Sequence, residues 1–252
     1  MAQRGGGAPW GEGPRCRVVD AVARALLRGD ARRGTPHTAA PEELYDLTTD
    51  RDEVNNLATS PEFAGVLAEL RKEHREHELK IRDIGLLPEA EIHSRAKGGA
   101  PYDAGHDEKI YPAERVLNAA ELASSLRPGV GAQLEKLMSD SDSGVRYWGA
   151  MGLLMRGAEA VRASRQPLRR ALEDQAPSVR IVAAEALARH GDEADLQPCL
   201  ETLIALAHPV VNGAYVSVQA LNAIDALGEK ALSLKERVAA LPDADPNAPA
   251  RA

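Results

Sequence analysis

Three groups of side chains in this 252-residue chain are of types that could do chemistry. His74 and His77 lie in one charged run with Glu73, Glu76 and Glu78, a donor set that could hold a metal ion. The zinc-protease pattern places two His four residues apart on a helix, with Glu directly after the first. Here the spacing is three, so the pair reads as a half-buried helix face carrying two polar residues, and the run Arg71 to Glu76 as a solvated face with i,i+4 pairing. Asp140-Ser141-Asp142-Ser143-Gly144 has the beginning of a calcium loop but lacks the third ligand before the Gly and the terminal Glu. A turn between two helices accounts for it. Cys16 and Cys199 stand too far apart to suggest a disulfide framework or a zinc site. Tyr147, Trp148, Met151 and Met155 read as packing residues of one helix. No residue is assigned a catalytic, cofactor-binding or metal-binding role.

The elements around these residues are those of a mainly helical protein. Apolar residues make up 44% of the chain and charged residues 27%, while aromatics are only 3%. Ala and Leu therefore supply most of the core, which favours closely packed helices over a sandwich or barrel. A net charge of -7 and a pI near 5.6 argue against a nucleic-acid surface, which works by neutralising phosphates. Residues 1 to 37 carry seven Arg against Glu12, Asp20 and Asp30, so the rest of the chain is strongly acidic. No apolar run approaches the roughly 18 residues of a membrane span, and the N-terminus has no apolar signal core. The cytoplasm is the default compartment on this reading; a longer native N-terminus would shift it to the periplasm or the exterior.

Residues 1–40 open with Gly5-Gly6-Gly7 and are rich in Gly, Arg and Pro, which predicts disorder broken at most by one short helix through Val18, Val22, Ala25 and Leu26. In residues 41–88, Leu44 to Leu47 suits a short strand and Thr48 to Asp52 a turn. A helix comes next, begun either by Thr59 with Glu62 or by Ser60 with Pro61. Phe63, Val66, Leu67, Leu70, His74, His77 and Ile81 mark its face, and Gly85 and Pro88 end it. Residues 89–112 contain Gly98-Gly99, Pro101, Gly105 and Pro112 without a sustained apolar period, and are predicted to be a linker or irregular wrap. Residues 113–241 are predicted to be helical, and 242–252 to be a disordered tail.

The segment Glu43-Leu44-Tyr45-Asp46-Leu47, followed by Asp50, Glu53 and Asn56-Leu57-Ala58, resembles the closing strand-and-turn segment of the sulfatase family. Arg51 stands where that family usually has Pro. The resemblance implies a nucleophilic Cys or Ser in a Cys/Ser-x-Pro-x-Arg motif, oxidised to formylglycine, beside a calcium ion held by Asp and Asn. Neither Cys16 nor Cys199 is followed by Pro two places on, and no adjacent Asp pair is present. The chain is thus expected to need no cofactor of its own, any calcium belonging to a catalytic domain that this sequence lacks. Without the family's partner strands, Leu44, Tyr45, Leu47, Phe63, Leu67 and Leu70 are expected to lack cover, and residues 42–88 to be weakly ordered or to self-associate.

Val145-Arg146 and the small apolar residues after it align with Val179-Arg180 at an offset of 34 residues, with Gly157 on Gly191. A third copy begins at Val216. Repetition at this period marks a helical solenoid, whose helix pairs bury their apolar faces only by stacking. The pattern Asp-x-x-x-x-Val-Arg followed by Ala and Leu resembles the HEAT repeat, in a short form. That resemblance implies ion pairs Asp140/Arg146 and Asp174/Arg180, with the third pair lost because Ser217 replaces Arg. Ala113 to Ser125 would cap the stack. The expected fold is a short HEAT-like α-solenoid preceded by a strand-turn-helix remnant of a sulfatase C-terminal subdomain. Two functions are consistent with it: a non-catalytic portion of a sulfatase-like protein carrying an accessory repeat module, or a free-standing scaffold that binds a protein partner on the repeat surface.

Overall fold

In the computed structural model the described residues are 42–242, together with the backbone of Val19–Asp20. The chain divides into two units, Met1–Lys80 and Ile81–Ala252. The expectations for the rest of residues 1–40 and for the tail beyond Pro242 lie outside the described residues.

In the first unit, β1 (Val19–Asp20) pairs antiparallel with β2 (Glu42–Glu43), Val19 opposite Glu43. The strand expected at Leu44 to Leu47 is therefore displaced toward the N-terminus. The cause is local: the Asp46 carboxylate accepts from the Thr48 amide (3.0 Å) and from the Thr48 and Thr49 hydroxyls (2.6 and 3.2 Å), which turns the chain away from extended pairing. A second carboxylate, Asp50, accepts from the amides of Val54 (3.1 Å) and Asn55 (2.8 Å). Asn56 then ties the loop back to its start. Its Oδ1 accepts from the Leu44 and Ala58 amides, and its Nδ2 donates to the Glu42 carbonyl.

A 3-10 turn at Pro61–Phe63 leads into α1 (Ala64–Ile81). Ser60 is the extended residue before it and Pro61 the first helical one, although the Ser60 hydroxyl caps no amide. The helix stops at Ile81, before Gly85, because Arg82 takes a left-handed backbone (φ 52). Leu44 and Leu67 are buried and Tyr45 nearly so, while Leu47, Phe63 and Leu70 are half-buried. The expected lack of cover over these side chains is thus corrected: each has lost much of its exposure within the chain.

In the second unit, residues 89–112 differ from the expected linker. They form α2 (Glu89–Ala96) and α3 (Pro101–His106). Pro88 precedes α2, Glu89 and Glu91 occupy its first turn and His93 and Arg95 its last, an arrangement that complements the helix dipole. Lys97, left-handed at φ 49, closes it. Arg82 fastens the end of α3 and the turn after it, donating to the Gly105 carbonyl (2.7 Å), the Tyr111 carbonyl (2.5 Å) and Glu108 (2.7 Å).

The repeats comprise α4 (Ala113–Ser124), α5 (Gly131–Leu137), α6 (Ser143–Met155), α7 (Ala158–Ala163), α8 (Arg165–Ala171), α9 (Pro177–His190), α10 (Glu193–Leu206) and α11 (Pro209–Leu227). A 3-10 stretch, Gly228–Leu234, and α12 (Lys235–Ala239) come last. The second helix of each pair packs on the next, in the row α4, α6, α9, α11. The first helices, α5, α7 with α8, and α10, form the other layer. This is a short α-solenoid. Within α9, Val179, Ile181, Val182, Ala183, Ala184 and Ala186 are all buried, so helix faces on several sides are covered. The small side chains are what allow neighbouring helices so close.

Gly149 and Gly152 in α6 take closeness to its limit. A Cβ at Gly149 would lie 2.8 Å from the Leu134 carbonyl oxygen and 3.0 Å from the Met138 nitrogen, both backbone atoms that cannot rotate away. Gly149→Ala gains about 1 kcal/mol of helix propensity, yet overpacking costs about 1–3 kcal/mol, so it should lower stability. Gly65→Ala, in α1 with nothing within 4 Å of the new Cβ, should raise it. Urea unfolding of the two variants should move in opposite directions.

Candidate interaction surface

Among the described residues, the side chains whose types could do chemistry are not assembled into a reactive site. His74 lies 3.4 Å from Glu78 one turn on, and His77 is exposed beside it. Among the described residues no group of three or more His, Cys, Asp or Glu is placed to hold a metal ion. Cys199 is fully buried, and burial first and the nearby Asp195 charge second push its thiol up to about 12, the opposite of an activated nucleophile. Cys16 lies outside the described residues.

Asp140 to Gly144 is an inter-helical turn whose carboxylates are occupied by protein donors. Asp140 accepts from the Asp142 amide (2.8 Å) and from Arg115. Asp142 caps α6 by accepting from the amides of Gly144 (2.8 Å) and Val145 (3.2 Å), and pairs with Arg95 of α2. Tyr147 and Trp148 are buried and meet edge to face, with centroids 5.5 Å apart. Met151 and Met155 are half-buried on the same helix.

What the turn does hold is α2. This helix lies on the row of second helices, against α9 and α11, as a strap over the surface on which helical repeats present themselves. Leu87, just before it, and Ala90 and Ile92 within it are buried. The Trp148 indole N–H donates to the Leu86 carbonyl (2.8 Å). Arg95 donates to both oxygens of Asp142 (2.9 and 3.0 Å), to Ser143 (2.9 Å) and to Glu91 (3.1 Å). Further along, the His93 ring stacks flat on Tyr215 of α11, centroids 4.2 Å apart. Beyond that contact the surface is open: Val210, Val211 and Val218 are 44, 74 and 55% exposed. The sequence signal for the strap was Pro88 with acids and then bases at four-residue steps, Glu89 to His93 and Glu91 to Arg95, a pattern obscured by the glycines after it.

The second feature is a ladder of ion pairs across the turns, and it runs differently from expectation. Arg146 does not pair with Asp140 in its own repeat. Its Nη1 donates to the Asp140 and Ser141 carbonyls (3.0 and 3.1 Å), while Nε and Nη2 clasp the carboxylate of Asp174 in the next turn (2.7 and 2.8 Å). Asp140 is paired in the same sense with Arg115 of α4, the previous helix of the row. The expected Asp174/Arg180 pair is present only as through-space attraction, since Arg146 and the Ala176 amide occupy both Asp174 oxygens. Ser217, where a third Arg would stand, donates to the Gly213 carbonyl of its own helix (2.8 Å).

Burial pushes the Asp174 carboxyl up, but hydrogen bonds from Arg146 and Ala176 and the charges of Arg146 and Arg180 outweigh it and hold the group below the usual carboxylate range. A carboxyl lowered in the folded state contributes stability above its unfolded pKa of about 3.9 and loses it as pH falls through the lower folded value. Asp174→Asn should therefore cost about 1–3 kcal/mol at pH 7 and flatten the acid limb below about pH 4. Urea midpoints measured across pH 2 to 7, assay settings of about that span, check both effects.

With the geometry in place, comparison with known proteins agrees on the repeat layer: a family model described as HEAT repeats matches residues 131–221. Comparison with curated proteins and with solved structures gives no match. The matched stretch runs from the start of α5 into α11. No single helix among the described residues is long and apolar enough to cross a membrane.

Proposed function

We propose that the repeat unit is a scaffold that binds a protein partner on its row of second helices. The observation that carries this reading is the unequal cover of that row: α2 straps it across α9 and as far as Tyr215 of α11, and Val210, Val211 and Val218 are left exposed. HEAT repeats commonly mediate protein interactions, and a stack of helix pairs offers an extended surface without need of a reactive group. A photo-crosslinking residue placed at Val211 of the full chain should trap a discrete partner in extracts of the source cell. The same residue placed at Val54, exposed in the first unit, should not. Trapping from Val54 alone would overturn the reading.

A second reading concerns the first unit, and one observation favours it. Asp46, Asp50 and Asn56, the polar residues shared with the sulfatase closing segment, each bind backbone or hydroxyl donors within the loop. Such residues would be kept for the loop they build, whatever chemistry lies elsewhere. On this reading the chain is a non-catalytic portion of a sulfatase-like protein, with nucleophile and calcium in a separate domain and the repeats as an accessory module. The purified chain should then leave a generic aryl sulfate intact with calcium added; hydrolysis would show that the chain itself carries the chemistry.

A further inference from the structure

Helical stacks bury their apolar faces between neighbours, so the last helix of a row needs a polar outer face or a cover. Among the described residues α11 is the last helix of this row. After it Gly228, at φ 55, turns the chain, the 3-10 stretch Gly228–Leu234 packs on α10 and α11, and α12 packs on that stretch. The cover is incomplete. Between α11, the 3-10 stretch and α12 lies an open hollow of about 230 Å³, lined by Ile224, Ala231, Leu234 and Val238. Leu232 borders it and is 66% exposed. Asp225 and Lys235 border it too, both exposed, and among the described residues neither side chain has an ion pair or hydrogen bond. A lone exposed leucine needs no explanation. A leucine beside an open apolar hollow, with an unpaired acid and an unpaired base on the same border, is the make-up of an interface.

We propose that this end of the stack binds a second copy of the chain: two copies meet about a two-fold axis, each Leu232 enters the other copy's hollow, and each Asp225 meets the other copy's Lys235. The charges choose the occupant. A two-fold contact uses one patch on both sides, so the patch must complement itself. This one carries a projecting side chain with a hollow to receive it, and an acid with a base to pair it. A border of a single sign would repel its own copy and call for a different protein. The sequence beyond Pro242, Asp243 to Ala252, has no apolar side chain larger than Pro or Ala with which to fill the hollow. The contact is small, so the dimer should be weak and dependent on concentration. It lies at the end of the stack and does not rest on the scaffold reading.

Sedimentation velocity of the full chain, loaded from about 1 to 200 µM to span the range in which a small interface dissociates, measures the association. The parent should pass from monomer to dimer. Leu232→Asp should weaken the dimer by about tenfold or more, and so should Asp225→Lys and Lys235→Asp, each of which sets like charges against each other at both ends of the contact. All three positions are exposed, so circular dichroism should show the parent's helix content in each variant. The decisive sample is an equal mixture of Asp225→Lys with Lys235→Asp. In a mixed dimer both charge pairs are restored, in opposite senses, and association should return toward the parent's. A parent that stays monomeric throughout would overturn the proposal, whether the hollow is covered by the end of the same chain or by another protein. So would a dimer indifferent to all three substitutions, which would place self-association elsewhere. Weakened variants that do not recover on mixing would rule out the two-fold pairing of Asp225 with Lys235.

Discussion

Trp148→Ala should cost the repeat unit about 3–5 kcal/mol, a large part of the roughly 5–15 kcal/mol that holds a domain folded. Three contributions act together. The indole is 1% exposed, so its removal leaves a cavity between α6 and its neighbours. Its edge-to-face contact with Tyr147 is lost, and Tyr147 is itself 3% exposed, with a phenol pushed up by burial first and the Glu185 charge second. The Leu86 carbonyl also loses the N–H that meets it at 2.8 Å. That last bond ties the start of the strap to the solenoid. Trp148→Phe retains most of the volume and deletes only the donor, at a cost nearer to 1 kcal/mol. Urea unfolding followed by circular dichroism gives both values. Hydrogen exchange then separates their effects: Trp148→Phe should speed exchange in α2 while α9 keeps its protection. A Trp148→Ala cost below about 1 kcal/mol would mean that strap and core are not joined through this side chain.

The repeat layer was legible in the sequence because its signals are local and recurrent. Val145 and Val179 begin the same pattern, both are buried, and each sits one turn into a second helix. The strap was not legible, for a physical reason. Eight residues allow only two helical turns, too few for a period to stand out, and the groups that fix α2 are remote. Arg95 meets Asp142 across 47 residues, and Leu86 meets Trp148 across 62. Gly98 and Gly99 signalled a loop correctly but said nothing of the helices on either side. The ladder shows a subtler limit. Asp140, Arg146 and Asp174 do form ion pairs, but a repeat read in one dimension pairs each Arg with the acid before it, whereas the stacked helices bring Arg146 to the next turn's Asp174 and leave Asp140 to Arg115. The first unit shows the same contrast on a small scale: the turn residues Asp46 and Asp50 act as their types predict, while the strand yields to the hydrogen bonds that Asp46 makes.

Asp142→Ala should be as damaging as loss of the tryptophan, at about 3–5 kcal/mol, although no apolar volume is removed. Asp142 serves two elements at once. It caps α6 through the Gly144 and Val145 amides, a role whose loss alone costs about 1 kcal/mol. It also neutralises Arg95, in a pair whose side chains are only 10 and 12% exposed. Burial pulls Arg95 down, and the bonds and charges of Asp142 and Glu91 more than restore it, so Arg95 stays charged in place. Without Asp142 that charge is left with Glu91 and the neutral Ser143 and Ile110 oxygens. Removing one member of such a pair costs far more than removing both, because the desolvated survivor is the penalty. Arg95→Met combined with Asp142→Ala should therefore recover a good part of the loss, and Asp142→Asn, which keeps an acceptor for the cap, should fall between. The double-mutant cycle in urea measures the coupling directly. Strictly additive losses would show that the two residues act independently, and that α2 is held on the row of second helices by its apolar face alone.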